Sequence, residues 1–287
     1  MRLVTYQAPS GPRAAAVTPD GYVDLAKADP ELPVSLKDFV ASGPEGHRRA
    51  MLGIKGSKPF STRGVQLLAP IPDPQKVICV GLNYIDHARE SGREPPNEPI
   101  LFSKFPTAVS AAGDAIVLPP VSKEVDYEAE LVAVIGRPGR NIGVDEALDH
   151  VAGYCCGNDV SARDWQLRKP GGQWLLGKSF DTFAPFGPYL VTADEVGSPD
   201  NLRIRMYLNG QLMQDSSTSQ LIFSVAYLVH YVSTVCTLCA GDVIFTGTPA
   251  GVGVARKPPV FLQPGDTAEV EIEKLGTLRN PVVTAGK

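Results

Sequence analysis

The stretch Val125-Asp126-Tyr127-Glu128-Ala129-Glu130-Leu131-Val132-Ala133-Val134-Ile135 reads as a single β-strand. Side chains alternate along a strand, so Tyr127, Ala129, Leu131 and Ala133 take one face and Glu128, Glu130 and Val132 the other. The two glutamates are then neighbours on one face, with Cα atoms about 6.5–7 Å apart. Like charges side by side among apolar residues repel each other and lose hydration. A divalent cation between them removes that cost, and so does a solvated face; Glu-x-Glu by itself is too short to choose. Asp159 tips the balance. It lies in Gly157-Asn158-Asp159, directly after the apolar run Val151-Ala152-Gly153-Tyr154-Cys155-Cys156. A carboxylate at the end of a second buried strand can join the first two. Three carboxylates without a nearby His or Cys make a hard oxygen set, which favours Mg²⁺ or Mn²⁺ over Zn²⁺. Three protein ligands to a six-coordinate ion leave roughly three positions for water or a chelating substrate.

Outward from this core, the chain divides in two. Residues 1–70 read as a small N-terminal α/β domain. It has short strands at Leu3-Val4-Thr5-Tyr6, Ala14-Ala15-Ala16-Val17 and Tyr22-Val23-Asp24-Leu25, then a helix capped by Ser35. The proline-rich stretch Ala69-Pro70-Ile71-Pro72-Asp73-Pro74 forbids a helix and acts as a stiff linker. Residues 71–287 read as the larger domain. Val77-Ile78-Cys79-Val80 suits a buried strand, residues 84–91 a short helix ended by Gly92, and residues 145–151 a helix. Ile204, Met206 and Leu208 alternate into Asn209-Gly210, a strong hairpin signal. The fold class expected is α+β, mainly β: mixed sheets with two or three helices packed on them.

Other residues carry chemistry by type and spacing. His87 and Glu90 are three apart, so on a helix the carboxylate can orient the imidazole as a base; an ordinary solvated helix face has the same pattern. Lys178 lies in an apolar segment. A buried lysine needs an anionic partner, either a substrate carboxylate or enolate, or a structural salt bridge. Gly172-Gln173-Trp174-Leu175-Leu176-Gly177-Lys178-Ser179 has the formal phosphate-loop pattern, but its interior is bulky and Pro185 and Pro188 follow where a helix should run, so that reading is rejected. Gly247-Thr248-Pro249-Ala250-Gly251-Val252-Gly253 is a tight loop that can bring the Thr248 hydroxyl and backbone N–H groups to an anion. Cys236-Thr237-Leu238-Cys239 is a lone pair, read with Cys79, Cys155 and Cys156 as buried thiols.

Composition excludes several classes. Of 287 residues, 43% are hydrophobic and 20% charged, as in an ordinary globular chain. Lys and Arg number 27 against 31 Asp and Glu, a net charge of −4, so no basic field exists to hold a nucleic acid. Residues 216–241 contain no Asp, Glu, Lys or Arg. Polar residues interrupt the stretch, and Ile222, Val225, Val229, Val232 and Cys236 recur at spacings of three and four. That pattern is one face of a buried helix, so no membrane span is expected. Five cysteines and an N-terminus without an apolar signal core lead to the expectation of a cytoplasmic protein.

The motifs come in a recognisable order: Val80-Gly81-Leu82-Asn83-Tyr84 with His87 and Glu90, Asp126-Tyr127-Glu128-Ala129-Glu130-Leu131, Gly157-Asn158-Asp159-Val160-Ser161-Ala162-Arg163-Asp164, Gly177-Lys178-Ser179-Phe180-Asp181, and Thr246-Gly247-Thr248-Pro249-Ala250-Gly251-Val252-Gly253. From about Pro74 to Val283 the chain resembles the fumarylacetoacetate hydrolase family. The resemblance implies a β-roll of mixed sheets, a homodimer, and one Mg²⁺ or Mn²⁺ held by Glu128, Glu130 and Asp159. It implies a lid segment carrying the catalytic pair His87 and Glu90, with Lys178 as a further catalytic residue. Arg163, Gln166 and Thr248 match positions that bind the oxo-acid end of a small-molecule substrate.

The activity expected first is metal-dependent hydrolysis of a C–C bond in a 2,4-dioxo acid through an enolate, with His87 activating water. The same enolate arises from oxaloacetate by decarboxylation or by keto–enol tautomerisation, the alternative at this site. A metal-stabilised binding protein is the rival outside enzymes; the set His87, Glu90 and Lys178 argues against it. A nucleotide-binding enzyme would rest only on the rejected loop.

Overall fold

The glutamate-bearing run becomes the strand Ala129–Ile135, buried near the middle of an eleven-stranded mixed sheet in the computed structural model of the chain, which describes residues 1–286. It pairs antiparallel with Val151–Asn158 on one side and Val243–Phe245 on the other. Val77–Gly81 runs parallel to Val243–Phe245, and Ile100–Lys104 closes that edge. Both faces of the central strand are covered, as its near-continuous apolar sequence demands. Ala129, Leu131, Ala133 and Ile135 enter one core with the helix Val225–Val235 and the second sheet; Val132 and Val134 enter another with Leu3, Phe39 and Phe186. Glu128 and Glu130 continue the second face beyond the apolar side chains.

The second sheet has five strands: Gln211–Ser217, Arg203–Leu208, Thr267–Ile272, Gly276–Thr284 and Ile116–Leu118 in spatial order. The hairpin expected at Asn209-Gly210 forms. Both residues have positive φ, 53° and 78°, which a type I′ turn requires. This is an α+β, mainly β architecture of mixed sheets.

The first 70 residues extend the main sheet. Arg2–Ala8 pairs antiparallel with Ala184–Thr192, in register Leu3 to Leu190, and carries Gly11–Thr18 and Gly21–Asp24 outward. Ser35 caps Leu36–Ala41 by accepting from Asp38 N, and that helix shares the second core with Val132 and Val134. The sheet is therefore continuous across the boundary expected at residue 70.

Four local expectations change. The strand expected over 125–135 is broken: Val125–Asp126 pairs with Ser161–Ala162, and Tyr127 and Glu128 lie between the two pieces. Beside the backbone bond from Asp159 N to Glu128 O, side chains take over part of the ladder there. Asn158 Oδ1 accepts from Glu128 N and Gln214 Oε1 from Ala129 N, each at 2.9 Å. Residues Val144–His150 form a 3₁₀ helix, and Val151 already belongs to the next strand. The charge-free stretch divides into a strand end, a 3₁₀ turn and the helix Val225–Val235, capped by Ser224. No helix among the described residues is long and apolar enough to cross a membrane. Of the cysteines read as buried, Cys79, Cys155 and Cys156 are, while Cys236 and Cys239 are partly exposed.

Candidate metal centre and active site

The break in the central strand turns Glu128 toward Asp159, which follows the paired strand Val151–Asn158. One oxygen from each of Glu128, Glu130 and Asp159 lies within 4.8 Å of the others, and all three residues are buried. The solvated reading of these acids is thereby excluded. Lys178 Nζ donates to Glu128 Oε2 and Asp159 Oδ2, both at 2.8 Å, and to Ser161 Oγ at 2.6 Å. Its anionic partners are thus two of the three carboxylates. Arg163 Nη2 lies 2.7 Å from Glu128 Oε1, and its Nε donates to Asp126 Oδ2 at 2.8 Å. Lys104, fully enclosed, donates to the carbonyls of Val160 and Phe183 and sits 2.6 Å from Asp159 Oδ1.

Charge accounting tests whether a cation fits. Four buried carboxylates (Asp126, Glu128, Glu130, Asp159) face three buried cations (Lys104, Arg163, Lys178). Among the described residues no cationic side chain pairs with Glu130; its Oε2 accepts only from Gly247 N, at 2.8 Å. Burial, then the charges of Asp159 and Glu128, push its pKa well above the usual carboxylate range. Burial also opposes ionisation of Glu128, but Lys178 and Arg163 overcome it and hold that group at about 2. Asp159 Oδ1 is buried and accepts no hydrogen bond despite the nearby Lys104. An excess carboxylate, an orphaned oxygen and an all-oxygen donor set suit a hard divalent cation.

A titration prediction follows from the sign of the Glu130 shift. A raised folded-state value means that the metal-free protein gains stability from the protonated group at low pH. That gain is lost as pH rises through the raised value. A cation bound there must displace the proton. Affinity for Mn²⁺ should therefore rise with pH, with protons released on binding. Calorimetry in two buffers of unlike ionisation heat at pH 6 reads that release, and none at pH 5–8 would contradict the assignment.

The remaining residues surround a cavity of about 190 Å³ lined by His87, Glu128, Arg163, Gln166, Lys178 and Thr248, among others. Gly177 explains one wall. A Cβ there would lie 2.7 Å from Gln166 N, so only glycine lets Trp174–Lys178 pack on Arg163–Arg168 and bring Lys178, Arg163 and Gln166 together. The formal phosphate-loop match is this helix. Arg163 Nη1 donates to Gln166 Oε1 at 2.9 Å. His87 and Glu90 lie on the helix Ile85–Glu90, with Nδ1 3.3 Å from Glu90 Oε2. The helix is latched over the 247–253 loop: Glu90 Oε1 accepts from Gly251 N at 2.9 Å, and Asp86 Oδ2 from Ser216 Oγ at 2.6 Å. His87 is half-buried against the cavity, not on a solvated face.

All nine residues singled out from the sequence thus converge on one region. Sequence reasoning missed Lys104, Asp126, Ser161 and Gln214. Asp126 stands within the quoted Asp-Tyr-Glu-Ala-Glu run, where its buried surroundings were a usable signal. Ser161 stands two residues from Asp159 in another quoted run, and Lys104 and Gln214 are joined to the site only by the fold.

Residues 76–283 match the family model described as fumarylacetoacetate (FAA) hydrolase C-terminal. The chain belongs to the fumarylacetoacetate hydrolase family. It is similar to the mitochondrial oxaloacetate tautomerase fahd2 of Xenopus laevis, 47% identical over 288 aligned positions that cover 99% of this chain and 90% of the frog protein. It is also 47% identical to the human mitochondrial oxaloacetate tautomerase FAHD2A, covering 99% and 92% of the two chains. Among solved structures, a maleylpyruvate hydrolase from Sphingobium sp. SYK-6, in complex with manganese(II) and pyruvate, matches all of both chains with a TM-score of 0.83 at 30% identity. The protein is accordingly an enzyme of this family with a divalent-metal site. The cytoplasmic expectation is overturned, because the names of these relatives point to mitochondria. It rested on the five cysteines and on the lack of an apolar core in the first residues, and neither distinguishes the cytoplasm from mitochondria.

Proposed function

We propose that the protein is a divalent-metal-dependent oxaloacetate keto–enol tautomerase. The observation that carries this reading is the small, partly open cavity lined by Glu128 of the carboxylate trio and by His87 of the latched helix, taken with relatives named for that reaction. At about 190 Å³ the cavity falls below the range of about 300–1,000 Å³ that suits larger ligands, and a compact four-carbon acid needs no more. The C–C hydrolase expected first gives way because the full-length relatives at 47% identity are named for tautomerisation.

Glu128, Glu130 and Asp159 would hold Mg²⁺ or Mn²⁺. Once bound, that ion supplies Lewis acidity to the 2-oxo oxygen and offsets the charge of the enolate. The chain's own residues do the rest. Arg163, tied to Gln166, and the Thr248 hydroxyl orient the oxo-acid end of the substrate. Lys178 spends all three of its donors on Glu128, Asp159 and Ser161, so it acts as a fixed positive charge near the enolate and not as a proton donor. His87 donates to Glu90 through Nδ1 in the tautomer this reading requires, which leaves the lone pair on Nε2. Nε2 takes the proton from C3, and the same proton can return to the enolate oxygen, which gives the enol without any water. In solution we read the enzyme as a homodimer, which light scattering would check.

The test is direct. Pure enol oxaloacetate is mixed with enzyme and its ultraviolet absorbance followed. Ketonisation should accelerate in proportion to enzyme, stop with EDTA, and return with Mg²⁺ or Mn²⁺. A kcat/KM for acylpyruvate cleavage or for CO₂ release above that for tautomerisation would overturn the reading.

A further inference from the structure

We propose that Gln214 is a positioning residue that makes the Thr248 hydroxyl a hydrogen-bond donor to a carboxylate or carbonyl oxygen of the substrate, and so selects for an oxo acid. The proposal rests on reading the cavity as an oxo-acid site.

Gln214 sits in the second sheet, on Gln211–Ser217, and is 1% exposed. Its amide makes three hydrogen bonds, and two of them involve backbone groups of fixed polarity. Ala129 N, 2.9 Å away, can only donate, so the atom facing it is Oε1. Pro249 O, 2.7 Å away, can only accept, so the atom facing it is Nε2. The amide therefore has one orientation. The second Nε2 proton points at Thr248 Oγ1, 2.8 Å away, which makes that oxygen an acceptor.

A hydroxyl carries one proton. That of Thr248 is not needed toward Gln214, and among the described residues no group accepts it. Thr248 is 4% exposed and lines the cavity beside His87, Arg163 and Lys178. The free proton faces the substrate. Its partner must be an acceptor, as the oxygens of a carboxylate or ketone are; a ligand group that can only donate meets no lone pair in the right place. Gln214 also braces the strand break beside Glu128 through Ala129 N. One side chain thus sets the polarity of a substrate contact and the geometry of a carboxylate ligand's neighbour.

A double-mutant cycle tests this on the metal-loaded full chain, with oxalate as the probe. Affinity is read by calorimetry, and KM and kcat for oxaloacetate are measured alongside. Thr248→Val should weaken oxalate about tenfold to hundredfold, the range for one hydrogen bond to a charged group. Gln214→Leu should weaken it about tenfold and raise KM more than it lowers kcat. The combined variant should lose clearly less than the product of the two single losses, since the hydroxyl through which Gln214 acts on the substrate is gone while its bond to Ala129 N is lost in both Gln214 backgrounds. If Gln214→Leu does not fold, Gln214→Met, which fills similar space without an amide, serves and should produce the same loss. Losses that multiply in the double variant, or wild-type oxalate affinity in either Gln214 variant, would overturn the proposal. Failure of oxalate to bind the wild-type protein would instead sink the oxo-acid reading, and this inference with it.

Discussion

Asp159→Ala is expected to remove both the metal and a large part of the protein's stability. Asp159 accepts from Lys178 at 2.8 Å and pairs with Lys104 at 2.6 Å, and both lysines are buried. Deleting the carboxylate takes from Lys104 its carboxylate partner in the interior and leaves Lys178 with the Glu128 carboxylate alone. Breaking a buried pair from one side costs about 3–5 kcal/mol, which lowers Tm by about 5–8 °C in a chain of this size. Losing the Lewis acid costs several kcal/mol of transition-state stabilisation, so kcat/KM should fall by about 10³-fold or more. Glu130→Gln supplies the contrast. Glu130 has no cationic partner, and its raised pKa reflects a carboxylate that burial and its neighbours already oppose. The amide should abolish activity equally, yet leave the Tm of the EDTA-treated protein unchanged or raise it. Thermal melts of both variants in EDTA decide the point. Equal destabilisation would mean that Glu130 is not the surplus charge.

The contrast also marks what the sequence could reveal. Glu128 and Glu130 were legible because strand periodicity fixes a shared face before any fold is known. Asp159 was legible because an acid at the end of an apolar strand has few destinations. His87 and Glu90 needed only helical spacing. None of this identifies Lys104 or Gln214. Each looks like an ordinary polar residue on a strand, and its meaning comes from partners far along the chain: Gln214 meets Ala129 across 85 positions and Lys104 meets Phe183 across 79. Strand pairing sets those distances, and register between distant strands is not written in local pattern. The same limit applies to residues 1–70. Their strands were readable one by one, while their union with Ala184–Thr192 depends on a pairing that no local signal announces. The break at Tyr127 and Glu128 was hidden for a related reason. Alternation continues through it, and only the side chains of Asn158 and Gln214 show that part of the ladder has been replaced.

His87→Asn separates proton transfer from everything else the site does. The asparagine keeps polarity and approximate size but offers no basic lone pair. Removing a positioned general base typically costs 10²–10⁴-fold in rate, so kcat for tautomerisation should fall by about that factor. Metal affinity should not change, because His87 touches none of the carboxylate oxygens that would bind the ion. Oxalate affinity should change little, since oxalate has no C3 proton to lose. Glu90→Gln is expected to be milder, about tenfold, because an amide can still accept from Nδ1–H while supplying no charge to a protonated ring. The latch complicates Glu90 in a measurable way. Its other oxygen accepts from Gly251 N, and an amide turned to offer its NH₂ would lose that bond and loosen the helix. Increased protease sensitivity of residues 85–92 in the Glu90 variant, without the same change in His87→Asn, would report the loosening apart from the chemistry. If His87→Asn instead retains full tautomerase activity, the proton moves by another route. Lys178 is then poorly suited to carry it, with every donor already engaged, and a water held within the cavity becomes the agent to seek.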